Sequence, residues 1–138
     1  MLEREVAYER LRSAGLRLTP QRRAVVEALL GDTSHPTVDE LAERVRSATP
    51  GVSLSTVYKV LHELAGLGLV RAVELPGAMR FDADSGDHIH VACESCGQIV
   101  DTPLPDEIAR LLAETAATAG TEVLRVDIVV RGKCKVCA

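Results

Sequence analysis

Apolar residues along the first half of the chain recur three and four positions apart, the spacing of helices with one buried face. Val6, Ala7, Leu11 and Ala14 predict a helix over 3–14, ended by Gly15 in the left-handed conformation. Thr19 and Pro20 suit the N-cap and first position of a second helix, whose stripe is Val25, Val26, Leu29 and Leu30 and whose stop is Gly31. Thr37-Val38-Asp39-Glu40 has the form of a capping box, and the helix it opens runs through Leu41, Ala42 and Val45 and must close before Pro50. Ser53 can cap a fourth helix, with Val57, Val60, Leu61 and Leu64 toward the core and Gly68 after the last turn.

The pattern then changes. Leu69 to Leu75 and Met79 to Ala83 read as strands joined at Pro76-Gly77, so four helices lead into a hairpin, the order of a winged helix-turn-helix. Asp84-Ser85-Gly86 is the expected linker. Beyond it come strands over 88–93 and 98–102, a helix over 105–119 closed by Gly120, and a last strand over 122–131. In that strand Leu124, Val126, Ile128 and Val130 share one face and Arg125, Asp127 and Arg131 the other. The expected fold class is α+β, with a winged helix-turn-helix domain over 1–84 and a small α/β domain over 85–138. The second domain, of about 54 residues, is too short to bury much surface alone and is expected to lean on zinc and a second subunit.

Composition narrows the functions open to such a chain. Tyr8, Tyr58 and Phe81 are its only aromatic residues, so modules that stack bases on aromatic platforms are excluded. No window nears the roughly 18 apolar residues of a membrane helix. The opening Met1-Leu2-Glu3-Arg4-Glu5 is charged in both signs, unlike a signal peptide, and the expected location is the cytoplasm, away from membranes.

Cys93-Glu94-Ser95-Cys96 and Cys134-Lys135-Val136-Cys137 are two C-x-x-C pairs that use every cysteine in the chain. Such pairs can bring four thiolates into the tetrahedron that Zn²⁺ accepts, here clipping the two ends of a small domain with one structural zinc per subunit. Redox disulfides or free core cysteines are the alternatives. His35, Asp82, His88, His90 and Asp101 form a second, scattered set. His88 and His90 would share one face of a strand, and imidazoles with carboxylates suit Fe²⁺, Mn²⁺ or Zn²⁺. Taken by spacing alone, they read equally as a loop histidine, solvated carboxylates and exposed strand residues.

On the fourth helix Ser55, Tyr58, Lys59 and His62 fall opposite the core stripe. Ser55 and Thr56 can reach phosphates, Lys59 a phosphate or base edge, and the Tyr58 ring a thymine methyl, unless Tyr58 simply packs.

Several ordered segments resemble the ferric uptake regulator family of metal-dependent repressors. Gly15-Leu16-Arg17-Leu18-Thr19-Pro20-Gln21-Arg22 matches its G-x-R-x-T-x-Q-R opening. Ser55-Thr56-Val57-Tyr58, with Leu61, Leu64 and Gly68-Leu69-Val70, matches its recognition helix and exit strand, and His88 to Gly97 matches H-x-H-x-x-C-x-x-C-G. The resemblance implies a homodimeric DNA-binding repressor whose C-terminal α/β domain dimerises, with no enzymatic activity.

Within the family the pattern is most similar to the peroxide-responsive repressors. Their regulatory ligands correspond to His35, Asp82, His88, His90 and Asp101. Iron-uptake repressors usually carry a glutamate in place of Asp82 or Asp101 and often a histidine before H-x-H, where Gly86 and Asp87 stand here; Val126 replaces a histidine of an auxiliary site. The resemblance implies one Fe²⁺ or Mn²⁺ per subunit, oxidation of His35 or His88 by peroxide, an A·T-rich inverted-repeat operator in double-stranded DNA, and Arg17 in a narrow minor groove. Sensing of iron, manganese or zinc itself is the alternative. A small metallohydrolase is more distant, since H-E-x-x-H and a nucleophile beside a histidine are missing, and the DNA-binding motifs speak against a zinc-stapled interaction module.

The formal net charge of −4 argues against a DNA partner only when averaged over the chain. Arg10, Arg12, Arg17, Arg22 and Arg23 fall in a stretch without acids, whereas 85–138 holds 5 basic and 8 acidic residues. Four thiolates and two divalent ions leave the subunit at −4, and loss of the regulatory ion takes it to −6. Low non-specific affinity with a local basic segment is the expected result.

Overall fold

Three hydroxyl caps set the helices of the first half. The computed structural model describes residues 1–138, divided into one unit of Met1–Glu74 with Ala78–Ser85 and a second of Leu75–Gly77 with Gly86–Ala138. In the first unit α1 spans Arg4–Ser13, α2 Pro20–Leu29, α3 Val38–Ala48 and α4 Leu54–Gly66. The side-chain oxygens of Thr19, Thr37 and Ser53 each accept from the backbone N–H three residues on, at 3.2 Å. Such caps are worth about 1 kcal/mol apiece. Apart from Leu30, which is half-buried, and Val6 and Ala14, which are exposed, the stripes expected from the sequence are buried: Val25, Val26 and Leu29 on α2, Leu41, Ala42 and Val45 on α3, and Val57, Val60, Leu61 and Leu64 on α4. They close one core, to which Ala7 and Leu11 of α1 and Phe81 also belong. Strands β1 (Arg71–Leu75) and β2 (Ala78–Asp82) pair as the expected hairpin.

Charged side chains fasten these helices and change the meaning of the basic stretch. Arg22 of α2 donates from Nε and Nη2 to the Glu63 carboxylate of α4 at 2.9 and 3.2 Å, and from Nη1 to the Arg17 carbonyl at 2.9 Å. Arg10 donates to the Leu67 carbonyl. Arg22 and Arg10 are thus structural fasteners, while Arg12, Arg17 and Arg23 remain exposed. Glu27 binds Arg4 at 2.5 and 2.8 Å and accepts a hydrogen bond from the Tyr8 hydroxyl at 2.9 Å, and the Arg4 bond holds its carboxyl below the ordinary range.

In the second unit β3 (His88–Cys93) is the middle strand of three, antiparallel to β4 (Ile99–Pro103) and parallel to β5 (Ile128–Gly132). Helix α5 spans Asp106–Thr118 and buries none of its residues; Leu111 is 58% exposed.

The last strand is shorter than the alternation over 122–131 predicts. The parallel register pairs Ile89 with Ile128, so residues before 128 face the chain ahead of β3. There the Asp87 carboxylate, at 3.2 Å, takes the Val126 N–H that a ladder would have used, and Arg125 closes on Asp127 at 2.9 Å. Leu124, expected to share a strand face with Ile128 and Val130, is 95% exposed.

Candidate metal centres and nucleic-acid interface

The four cysteines come from two turns at one end of the three-stranded sheet. Cys93 ends β3, Cys96 sits in the following turn, and Cys134 and Cys137 follow β5. Their sulfurs all lie within 4.8 Å of one another, and Cys96 Sγ is 3.8 Å from Cys134 Sγ. A disulfide would require about 2.05 Å. Zinc–sulfur bonds of about 2.3 Å in a tetrahedron separate sulfurs by about 3.8 Å, so the donor set fits zinc in both chemistry and spacing. The thiols of the cluster differ in acidity. Hydrogen bonding from the Cys134 backbone N–H, then from those of Cys96 and Ser95, lowers the Cys93 thiol to about 6. Hydrogen bonds with Cys134, Cys93 and Cys96 push the Cys137 thiol up to about 12. A divalent ion displaces the remaining protons when it binds.

At the other end of β3 the antiparallel register sets His90 opposite Asp101. His90 Nδ1 lies 2.8 Å from Asp101 Oδ1, and His88 Nε2 lies 3.4 Å from Asp101 Oδ2. The two imidazoles share a face as their spacing predicts, with centroids 4.5 Å apart, and both are buried rather than exposed. The Gly86 carbonyl lies 2.8 Å from His88 Nδ1. That bond places the proton on Nδ1 and leaves the Nε2 lone pair on the Asp101 side, the arrangement of a metal-ligating histidine. Sequence reasoning missed Gly86 because the contact is made by a backbone atom.

In the first unit His35 and Asp82 are each 4% exposed, with Nε2 and Oδ2 3.7 Å apart. Neither is the solvated loop residue or surface carboxylate that spacing alone allows.

The outer face of α4 carries Ser55, Tyr58, Lys59 and His62, all exposed, with Thr56 half-buried. Tyr58 is 53% exposed and stacks on His62 at 6.0 Å and 17°, so its ring is presented rather than packed into the core. A cleft beside it is lined by Thr19, Gln21, Thr56 and Lys59. Gln21 escaped the sequence reading because its place in the cleft depends on how α2 meets α4. Arg17 is exposed, and its carbonyl accepts from Arg22 and from the Thr19 N–H at 2.9 and 3.0 Å.

A winged helix that presents such a face, in a chain that also holds metal-binding side chains, defines the class of metal-dependent transcriptional regulators. The sequence profile of the ferric uptake regulator family matches residues 13–131, and the chain belongs to that family. The peroxide operon regulator of Bacillus subtilis is 36% identical over 139 residues, covering 99% of this chain and 94% of the relative. Among solved structures, the ferric uptake regulator of Helicobacter pylori superposes with a TM-score of 0.81 at 26% identity, over 98% of this chain and 93% of that one. The Campylobacter jejuni peroxide stress regulator gives a TM-score of 0.73 at 29% identity, over 99% of this chain and all of that one (100%).

Proposed function

We propose that this protein is a homodimeric repressor that binds DNA when its regulatory metal is in place and releases it when peroxide oxidises a ligand histidine. The observation that carries this reading is the convergence of His88 Nε2 and His90 Nδ1 on the Asp101 carboxylate. In this reading Cys93, Cys96, Cys134 and Cys137 hold one structural zinc per subunit. His35 and Asp82 join His88, His90 and Asp101 around one regulatory Fe²⁺ or Mn²⁺. The set contains imidazoles and carboxylates and no thiolate, which suits those ions.

His35 and Asp82 belong to the 1–84 half, and the other three ligands to the 85–138 half. An ion held by all five side chains would tie the halves together, and it would favour the orientation in which two recognition helices of a dimer meet two operator half-sites. Bound ferrous iron would supply the chemistry that activates hydrogen peroxide beside these imidazoles: in the net change the O–O bond breaks, one oxygen goes to a ring carbon of His35 or His88, and the other leaves as water. Oxygen added to His35 or His88 takes away that ring's lone-pair donation, and the orientation is lost. The similarity to the B. subtilis peroxide operon regulator supports this reading over sensing of the metal alone. The unburied α5 supports a second subunit as the partner of the 85–138 half.

The operator is an A·T-rich inverted repeat in cytoplasmic double-stranded DNA. Ser55, Thr56, Tyr58 and Lys59 face the major groove and its phosphates, and Arg17 enters a narrow minor groove. No helix is long and apolar enough to cross a membrane. Arg17→Ala is expected to weaken operator binding about tenfold at moderate salt, with metal content unchanged. Gel-shift titration checks this, and equal affinity removes Arg17 from the interface.

The deciding experiment is a gel shift on such a repeat with Fe²⁺, Mn²⁺ and Zn²⁺ in parallel, followed by a peroxide pulse and peptide mass spectrometry. Release from DNA in the iron form alone, with a 16 Da gain on the His35 or His88 peptide, is the expected result. Metal-dependent binding with no oxygen gained on any histidine would instead establish a sensor of the metal itself. Binding that ignores all three ions would defeat both readings.

A further inference from the structure

His35 is the one residue other than glycine with a positive φ, +53°, and it precedes Pro36. Left-handed backbone is costly for a residue with a β-carbon, and a following proline further restricts the residue before it. Such a conformation persists only where its surroundings over-determine it, and ligand clamps are among the places where it clusters.

The surroundings of His35 do this from both sides. Ahead of it, the Asp32 carboxylate accepts the Ser34 N–H at 2.8 Å and Arg44 Nη1 at 2.6 Å, while Arg44 Nη2 donates to Ser34 Oγ at 3.1 Å. A single guanidinium from α3 thus closes the turn that delivers the chain to His35. Burial works against charge on Asp32, but the bonds from Ser34 and Arg44 together outweigh it and hold the carboxyl below its ordinary range.

Behind it, Arg80 of β2 donates from Nη1 to the His35 carbonyl at 3.1 Å, and the Phe81 N–H donates to the Pro36 carbonyl at 2.9 Å. Asp82, two residues on and on the same strand face as Arg80, meets the His35 imidazole. Arg80 keeps its Nε buried without a hydrogen bond. An unmade buried bond is a net cost. A guanidinium retained at that cost is there for what its other nitrogens hold, which is the His35 carbonyl and, 3.8 Å away, the Glu40 carboxylate of α3.

We propose that Arg44 and Arg80 are positioning residues for His35: they impose the left-handed backbone that presents its imidazole to the regulatory metal. This rests on the reading of His35 as a ligand. Neither arginine touches the ion in this account; each acts through the backbone of the segment from 32 to 36.

The test compares Arg44→Ala, Arg80→Ala and Arg80→Lys with the wild type in the full-length, zinc-loaded protein. Mn²⁺ affinity is measured by calorimetric titration, and the partition of oxidation between the His35 and His88 peptides is measured after peroxide treatment of the Fe²⁺ form. Each alanine variant is expected to lose about tenfold in Mn²⁺ affinity, within the range usual for groups that orient a metal ligand. Oxidation should move from His35 toward His88. Arg80→Lys should recover part of the affinity, since an ammonium can still donate to the His35 carbonyl. A role in general stability would lower the melting temperature without moving the partition. Should an alanine variant fail to fold, Ser34→Ala, which removes only one acceptor of the Arg44 fork, gives the same two readings. Wild-type affinity and wild-type partition in the variants would overturn the positioning role and leave the function standing. A wild type that neither binds Mn²⁺ nor takes up oxygen would overturn both.

Discussion

Cys134→Ser is expected to empty the zinc site and unfold the second unit while the first stays folded. The reason lies in where apolar surface is buried. The core joins α1 to α4 and Phe81, whereas from Gly86 to Ala138 the buried apolar residues are Ala92 and Cys93 alone. A segment so small, with an α5 that buries nothing within its own chain, has little besides the metal and a second copy to offset the entropy of folding. Structural zinc is worth about 10–16 kcal/mol in zinc-finger peptides, more than most whole domains are stable by. Metal analysis should fall from one zinc per chain to none. Circular dichroism should show the helical unit melting as before, with the transition of the sheet gone and the dimer lost. A metal-free variant with both transitions intact would remove the structural role from the cluster.

Asp101→Ala is expected to cost at least about 100-fold in Mn²⁺-dependent operator binding with zinc retained. Asp101 meets both His88 and His90, so in the proposed site its loss would remove one ligand and release two others. Truncating a group that merely orients a ligand costs about 10–100-fold in metal affinity, and a ligand with two such duties should exceed that. The ion must favour the DNA-binding state by about 5.5 kcal/mol to move a population from 1:99 to 99:1, so even a partial loss of its bonds returns most dimers to the non-binding state. A gel shift at fixed Mn²⁺ with the variant reads this directly, and retained metal-dependent binding would take Asp101 out of the site.

The parts of this architecture that rest on neighbours in sequence were legible before any coordinates. Thr19, Thr37 and Ser53 cap the helices they precede because a hydroxyl and an N–H three residues on need no other partner. The two C-x-x-C pairs and the i, i+2 spacing of His88 and His90 likewise fix local geometry. What escaped depends on contacts across long separations. The shortening of β5 follows from a carboxylate 39 residues away taking the Val126 N–H. The arginines of the basic stretch look equivalent in sequence, yet Arg22 is committed to Glu63, 41 positions on. The left-handed backbone of His35 meets the Arg80 guanidinium, 45 positions on, a contact that the sequence around His35 does not foretell.

One strand carries residues of both proposed metal sites. β3 carries His88 and His90 at its beginning and Cys93 at its end, with His90 and Cys93 about 10 Å apart at roughly 3.3 Å per residue. Strand side chains alternate between faces, so a slip of β3 by a single residue would set Ile89 or Val91 opposite Asp101 and turn both imidazoles to the wrong side. Zinc at the far end, held by the turn into β4 and the exit of β5 as well as by β3, would work as an indexing pin against this slip. A protein stripped of zinc would lose its regulatory site along with the fold of the second unit, even with every one of the proposed regulatory ligands present in its sequence.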